Sequence, residues 1–317
     1  MAAKKVITVF GATGAQGGGI VSTFLSDPEL QSEWAVRAVT RDPTKDSAKK
    51  LIEKGAEVFE ADLDVAESIA NVVKGSYAVY GVTNYWEKMS ADVEVQQGKN
   101  LADAVKAAGV KHYIWSSLLD ITELSKGALP NVYHFDSKAK VESYVRELGI
   151  PSTFFMPGFY MTGIPGEMLT SQGPSGPWVL ALPAGADAQI PMYHPADTGK
   201  YIKAILQNAD KLLGKRFLGA TAYMTPGEIV QGFAGAFPAS GSNAQFFQVP
   251  EDVFRGAMKG KGMPDFVVSE LFENVKLMET FGYFGGESLD LTHELVKDHL
   301  TTWDEYVKVA PAFKGLS

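Results

Sequence analysis

The stretch from Val6 to Ile20, VITVFGATGAQGGGI, constrains the fold of this chain more than any other. Val6, Ile7, Val9 and Phe10 form an apolar, largely β-branched run of strand length. The turn Gly11-Ala12-Thr13-Gly14-Ala15-Gln16-Gly17 follows at once, and Ile20, Val21, Phe24 and Leu25 then repeat at helical spacing. Glycines at 11 and 14 let backbone N–H groups approach an anion with no Cβ in the way, and Gly17 lets the helix pack closely on the strand. The spacing is G-x-x-G-x-x-G rather than the commoner G-x-G-x-x-G, and a glycine string alone fits a turn with no ligand. Between a strand and a helix start it reads as a dinucleotide site, with Gly11, Thr13, Gly14, Ala15, Gln16 and Gly17 against the cofactor.

The 317 residues, 45% hydrophobic and 21% charged, suffice for one large α/β domain with a smaller partner. A formal net charge of -8 without any lysine or arginine block is the wrong sign for direct nucleic-acid binding. The chain has no cysteine, which removes disulfides, thiolate catalysis and cysteine-held metal and fits an intracellular compartment. Its five histidines are scattered, and no metal site is expected. With the first strand at Val6 and no long apolar run, neither a targeting peptide nor a membrane span is expected.

Downstream, short apolar runs alternate with helical patterns, the signature of a parallel sheet covered on both faces. Strands are expected at 35–40, 56–61, 77–82, 112–115 and 152–156, with helices near 47–54, 66–73, 93–108 and 135–148. Arg41, backed by Lys45, follows the second strand where an adenosine ribose would lie, so a 2′-phosphate and hence NADP is preferred. Asp42 keeps NAD open, and the cluster also suits a plain surface turn. Asp62, with Leu63 beside it, is assigned to the adenine, and Asp64 to capping the next helix. Thr83, Asn84, Tyr85 and Trp86 follow the fourth strand and should line the ligand crevice.

Gly11-Ala12-Thr13-Gly14-Ala15-Gln16-Gly17-Gly18, Val39-Thr40-Arg41-Asp42-Pro43, Thr83-Asn84-Tyr85-Trp86-Glu87 and His134-Phe135-Asp136-Ser137-Lys138 occur in this order. Together they resemble the NmrA-like family, atypical short-chain dehydrogenases, and especially its NADP(H)-sensing branch. The resemblance is strongest up to about Tyr160. It implies a doubly wound parallel Rossmann-type sheet with a smaller C-terminal α/β substrate or partner domain. The division expected is 1–157, with returning segments at about 190–222, against 158–317.

Catalysts of that superfamily pair a tyrosine with a lysine four positions on and a serine on the preceding strand end. Here the lysine position is Lys138, and Ser116 or Ser117 supplies a hydroxyl, but the tyrosine position is His134. Tyr133 is one residue off, roughly 100° around a helix. Three readings of His134 stand: a substitute acid, a ligand contact without chemistry, or a residue with no special task. Lys138 is assigned to the cofactor ribose, against the alternative of a solvated helix lysine. The resemblance also puts Phe159 and Tyr160 at the nicotinamide end, although such aromatics are as often plain core.

Thr225-Pro226-Gly227-Glu228 and Thr302-x-x-Glu305 mark helix starts, and 265–281 carries an apolar stripe at helical spacing. The resemblance implies a redox-sensing regulatory protein that acts on a partner such as a transcription regulator. The alternative is an NADPH-dependent reductase of a small carbonyl or quinone-like substrate. A homodimer and a cytoplasmic location with access to the nucleus complete the expectations.

Overall fold

The computed structural model describes residues 3–173 and 176–317. Its main sheet has seven strands: β1 (Lys5–Val9), β2 (Trp34–Thr40), β3 (Glu57–Glu60), β4 (Ala78–Gly81), β5 (His112–Ser116), β6 (Ser152–Pro157) and, much later in the chain, β11 (Arg216–Gly219). Between β6 and β11 run β7 (Phe159–Tyr160), β8 (Leu169–Ser171), β9 (Trp178–Leu182) and β10 (Ile190–Tyr193), and β12 (Ala222–Met224) and β13 (Gln245–Gln248) follow. The main sheet is parallel throughout, in the order β11-β6-β5-β4-β1-β2-β3. This is the doubly wound α/β arrangement expected, and the strand order reverses between β1 and β4.

Alternation along the strands sorts the core into two faces. Ile7 and Val9 of β1, Tyr80 of β4, Ile114 of β5 and Phe155 of β6 pack under the helices Ala15–Ser26 and Thr198–Gln207. Val79, Tyr113, Trp115 and Phe154 point the other way, onto the helices Ala66–Val73, Ala91–Ala107 and Tyr133–Glu147. A third apolar cluster joins Leu118, Phe135 and Met156 to Leu180, Phe233, Leu277, Tyr283 and Trp303. It is covered by two small sheets, β12-β10-β7 and β13-β9-β8, and by the helices Pro226–Ala236, Asp265–Thr280 and Trp303–Val309.

The start signals read at Thr225 and Thr302 both form reciprocal capping boxes with Glu228 and Glu305. The cap assigned to Asp64 does not form. The backbone N–H of Asp64 donates to Asp62 Oδ1 at 2.9 Å, which carries the chain one residue further before the helix begins, and Val65 occupies the cap position. Asp64 Oδ1 instead accepts from Gln97 Nε2 at 2.9 Å.

Candidate functional site

The glycine turn leaves β1 at the point where the strand order reverses. Gly11 has φ +62°, the left-handed region, and a Cβ there would lie 2.9 Å from Val82 Cγ1. At Gly17 a Cβ would run into the carbonyl oxygen of Gly11 and the backbone of Ala12, so only glycine permits this approach of helix to turn. The helix that follows has Gly14 at its cap position, no side-chain cap and no acidic residue in its first turn. Among the described residues the N–H groups of Ala15, Gln16 and Gly17 have no partner. An uncapped helix end without acidic neighbours fits a pyrophosphate, by hydrogen bonding and by the helix dipole.

The turn is held from behind by the side chain of Gln16. Its Oε1 accepts from Ser116 Oγ at 2.9 Å and from Tyr80 Oη, while its Nε2 donates to Tyr160 Oη at 2.6 Å. Burial pushes the Tyr160 hydroxyl up to about 12, so it stays protonated at neutral pH.

In front of the turn lies a cavity of ≈ 560 Å³. Of the residues expected at a cofactor, Gly11, Gly14, Ala15, Gln16, Gly17, Thr83, Asn84, Tyr85, His134, Lys138, Phe159 and Tyr160 line it. Thr13, Arg41, Lys45, Asp62 and Leu63 do not. Arg41 Nη1 donates to Glu87 Oε1 at 2.5 Å, and Glu87, Asp62 and Asp64 all favour its charged form. Asp42 turns its Oδ1 to the N–H and hydroxyl of Thr44, which hold its carboxyl below the usual range. Lys45 starts the Asp46–Glu53 helix with an exposed side chain, and the Leu63 carbonyl accepts from Asn100 Nδ2 at 2.8 Å.

Lys138 is not a solvated helix lysine. It is buried, and its Nζ donates to Glu94 Oε1 and, at 3.3 Å, to Thr83 Oγ1. Glu94, 2% exposed, also accepts from Thr83 Oγ1 at 2.7 Å and from Ser137 Oγ. The lysine charge is therefore matched inside the protein. His134 sits 4.9 Å from the Trp86 ring, and its backbone N–H and Nδ1 both donate to Glu270 Oε1, at 2.8 and 2.6 Å. Tyr85 Oη donates to the other oxygen of Glu270 at 2.8 Å. With Nδ1 engaged, Nε2 of His134 is the ring nitrogen left for a ligand.

Neither serine considered as a hydroxyl donor lines the cavity. Ser116 is engaged with Gln16, and Ser117 Oγ donates to Glu142 Oε2 at 2.6 Å, in a network that includes Arg146 and Arg216. Tyr133 turns away as its register requires and donates to Asn131 Oδ1 at 2.8 Å. Sequence reasoning missed Glu94 and Glu270. Both read as ordinary helix carboxylates, and only the fold brings them beside Lys138 and His134.

The fold is that of a doubly wound, Rossmann-type α/β protein, with the crevice at the point where its strand order reverses. The sequence pattern of the NmrA-like family matches residues 3–307, and the chain belongs to that family. An NmrA-like family domain-containing protein of Dictyostelium discoideum is 28% identical over 96% of this chain and 97% of its own length. The oxidoreductase malD of Malbranchea aurantiaca, named for the same family domain, is 29% identical over 73% of this chain and 72% of its own. Against other curated relatives the chain spans about half their length: 48% of ptmS from Penicillium ochrochloron, at 33% identity over 50% of this chain.

Among solved structures, the negative transcriptional regulator NmrA in complex with NADP superposes with a TM-score of 0.81 at 24% identity, over 97% of this chain and 96% of that one. An NADPH-dependent quinone oxidoreductase of Escherichia coli, complexed with NADPH, gives 0.73 at 22% identity over 96% and 99%. At these identities the likeness is one of fold.

Proposed function

We propose that the protein binds NADP(H), with NAD as the weaker alternative, and that occupancy of this site is what it reports to a protein partner such as a transcription regulator. The observation that carries the binding is the uncapped, glycine-walled start of the Ala15–Ser26 helix facing the cavity. Solved relatives of the same fold hold NADP and NAD. In this reading Gly14–Gly17 bind the pyrophosphate and Arg41 takes the 2′-phosphate with the N–H groups that Glu87 does not use. The engagement of Asp42 with Thr44 supports the phosphate-bearing form, because an acidic residue free to take the ribose hydroxyls favours NAD. Thr83 and Lys138 hold the nicotinamide ribose, and Phe159 and Tyr160 wall the nicotinamide end.

A regulatory rather than catalytic role is supported by the acid–base inventory. Histidine stands where the superfamily's catalysts have tyrosine, and the Lys138 charge is bound to Glu94. The bound dinucleotide would supply a hydride. A second reading, a reductase of a flat apolar carbonyl or quinone, is favoured by the cavity wall of Tyr85, Trp86, Phe159 and Tyr283 and by the oxidoreductase names of relatives. In that reading Nε2 of His134, or a water beside Lys138, moves the proton.

Fluorescence titration of NADPH, NADP, NADH and NAD tests the binding. Arg41→Ala should cut the preference for NADPH over NADH by roughly tenfold, the loss of one charge-assisted contact. No binding of any dinucleotide would overturn the proposal. Steady NADPH consumption with a quinone or aldehyde panel, lost in Lys138→Ala while NADPH binding is kept, would favour the reductase. A partner whose affinity is the same with and without bound NADPH would remove the regulatory reading.

A further inference from the structure

On its His134 side the cavity wall carries two polar atoms, Asn274 Oδ1 and Tyr283 Oη, that no described residue hydrogen-bonds. Asn274 lies one helical turn after Glu270 on the Asp265–Thr280 helix, and Tyr283 follows that helix; both line the cavity. The carboxylates on the same helix face are satisfied. Glu270 accepts from Tyr85 and His134, and Glu273 accepts from the backbone N–H of Asn131 at 2.7 Å and from its Nδ2 at 2.5 Å. Asn274 Oδ1, by contrast, is buried with no hydrogen-bond partner among the described residues. The Tyr283 ring is clamped edge-on by Phe135 and Phe284, each at 5.1 Å, and its hydroxyl makes no hydrogen bond among the described residues. Their neighbours in the wall, Leu118 and Phe159, are apolar. Leaving a buried amide oxygen unpaired is costly, so native proteins leave few of them, and those few call for a partner such as a ligand or water.

We infer that Asn274 and Tyr283 form a subsite for a flat aromatic ligand bearing a neutral hydroxyl, bound beside the dinucleotide. The ring packs on Phe159 and Leu118. Its hydroxyl donates to Asn274 Oδ1 and accepts from Tyr283 Oη. A hydroxyl suits the pair because it both donates and accepts. An anionic ligand would find Lys138 already neutralised by Glu94, with Glu270 close by. The inference rests on the cavity being the dinucleotide crevice, but not on turnover.

The probes are 2-naphthol and 2-methylnaphthalene, the same ring with hydroxyl exchanged for methyl, titrated onto the full chain with and without saturating NADP. The methyl compound is the more apolar, so simple hydrophobic binding favours it. Wild type should prefer naphthol by roughly tenfold. Asn274→Leu should bring the two ligands to within about a factor of two, and Tyr283→Phe should narrow the gap. Unchanged NADPH affinity in both variants shows that the fold is intact. Equal affinities in wild type, or a preference that persists in both variants, would overturn the subsite. Naphthol preference in a protein that binds no NADPH would sink the dinucleotide reading while supporting the subsite.

Discussion

His112 shows how a single buried residue ties stability to pH. It starts β5, is 2% exposed, and its Nε2 lies 2.8 Å from Thr153 Oγ1, whose own hydrogen goes to the Leu212 carbonyl. The imidazole is therefore the donor in that contact, and it is neutral: burial lowers its pKa from 6.5 to about 4. Between those two values the unfolded chain binds the proton and the folded chain does not. The stability due to the neutral form is thus fully present above the unfolded pKa and is lost as pH falls towards the folded one. The shift corresponds to about 3 kcal/mol. Urea unfolding at about pH 7 and about pH 4.5 should show a steep acid loss in wild type and a shallower one in His112→Gln. Parallel losses in the two proteins would place the acid sensitivity elsewhere.

The Asp265–Thr280 helix matters because it carries Glu270, Glu273 and Asn274 on one face to a site whose other walls, Tyr283 apart, come from residues up to Gly163. In Glu270→Ala, Tyr85 Oη and both donors of His134 lose their acceptor. At about 1 kcal/mol or more for each orphaned group, the unfolding free energy should drop by roughly 3 kcal/mol. Chemical denaturation measures this, and a loss below about 1 kcal/mol would mean that water replaces the carboxylate. From sequence this helix was legible only as an apolar stripe. Its partners Tyr85 and His134 stand some 185 and 136 positions earlier, and no local pattern encodes such a contact. The main sheet was far more legible, because each parallel strand is a short apolar run between turn residues and that signal is local. The glycine turn was legible for the same reason, since strand, turn and helix start are contiguous. Asp62 and Asp64 mark the limit: either aspartate can close a turn or cap a helix, and the choice depends on where the chain turns.

At the scale of the whole molecule the crevice is walled from both sides, by β1 and β4 of the main sheet and by β7, Asn274 and Tyr283 of the later part. A ligand that binds only the folded chain stabilises all of it: NADPH at a hundred times its Kd should raise the unfolding free energy by about 2.7 kcal/mol. Thermal melts with and without NADPH test this, and a shift confined to one of two separable transitions would show that the two walls unfold independently. Gln16 sits where these walls meet. Because Tyr80, Ser116 and Tyr160 fix both ends of its amide, the phosphate turn takes its form when the sheets assemble. The ordering entropy of the turn is therefore charged to folding and not to association. The dinucleotide meets a mould already set, and the freedom it must give up on binding is chiefly its own.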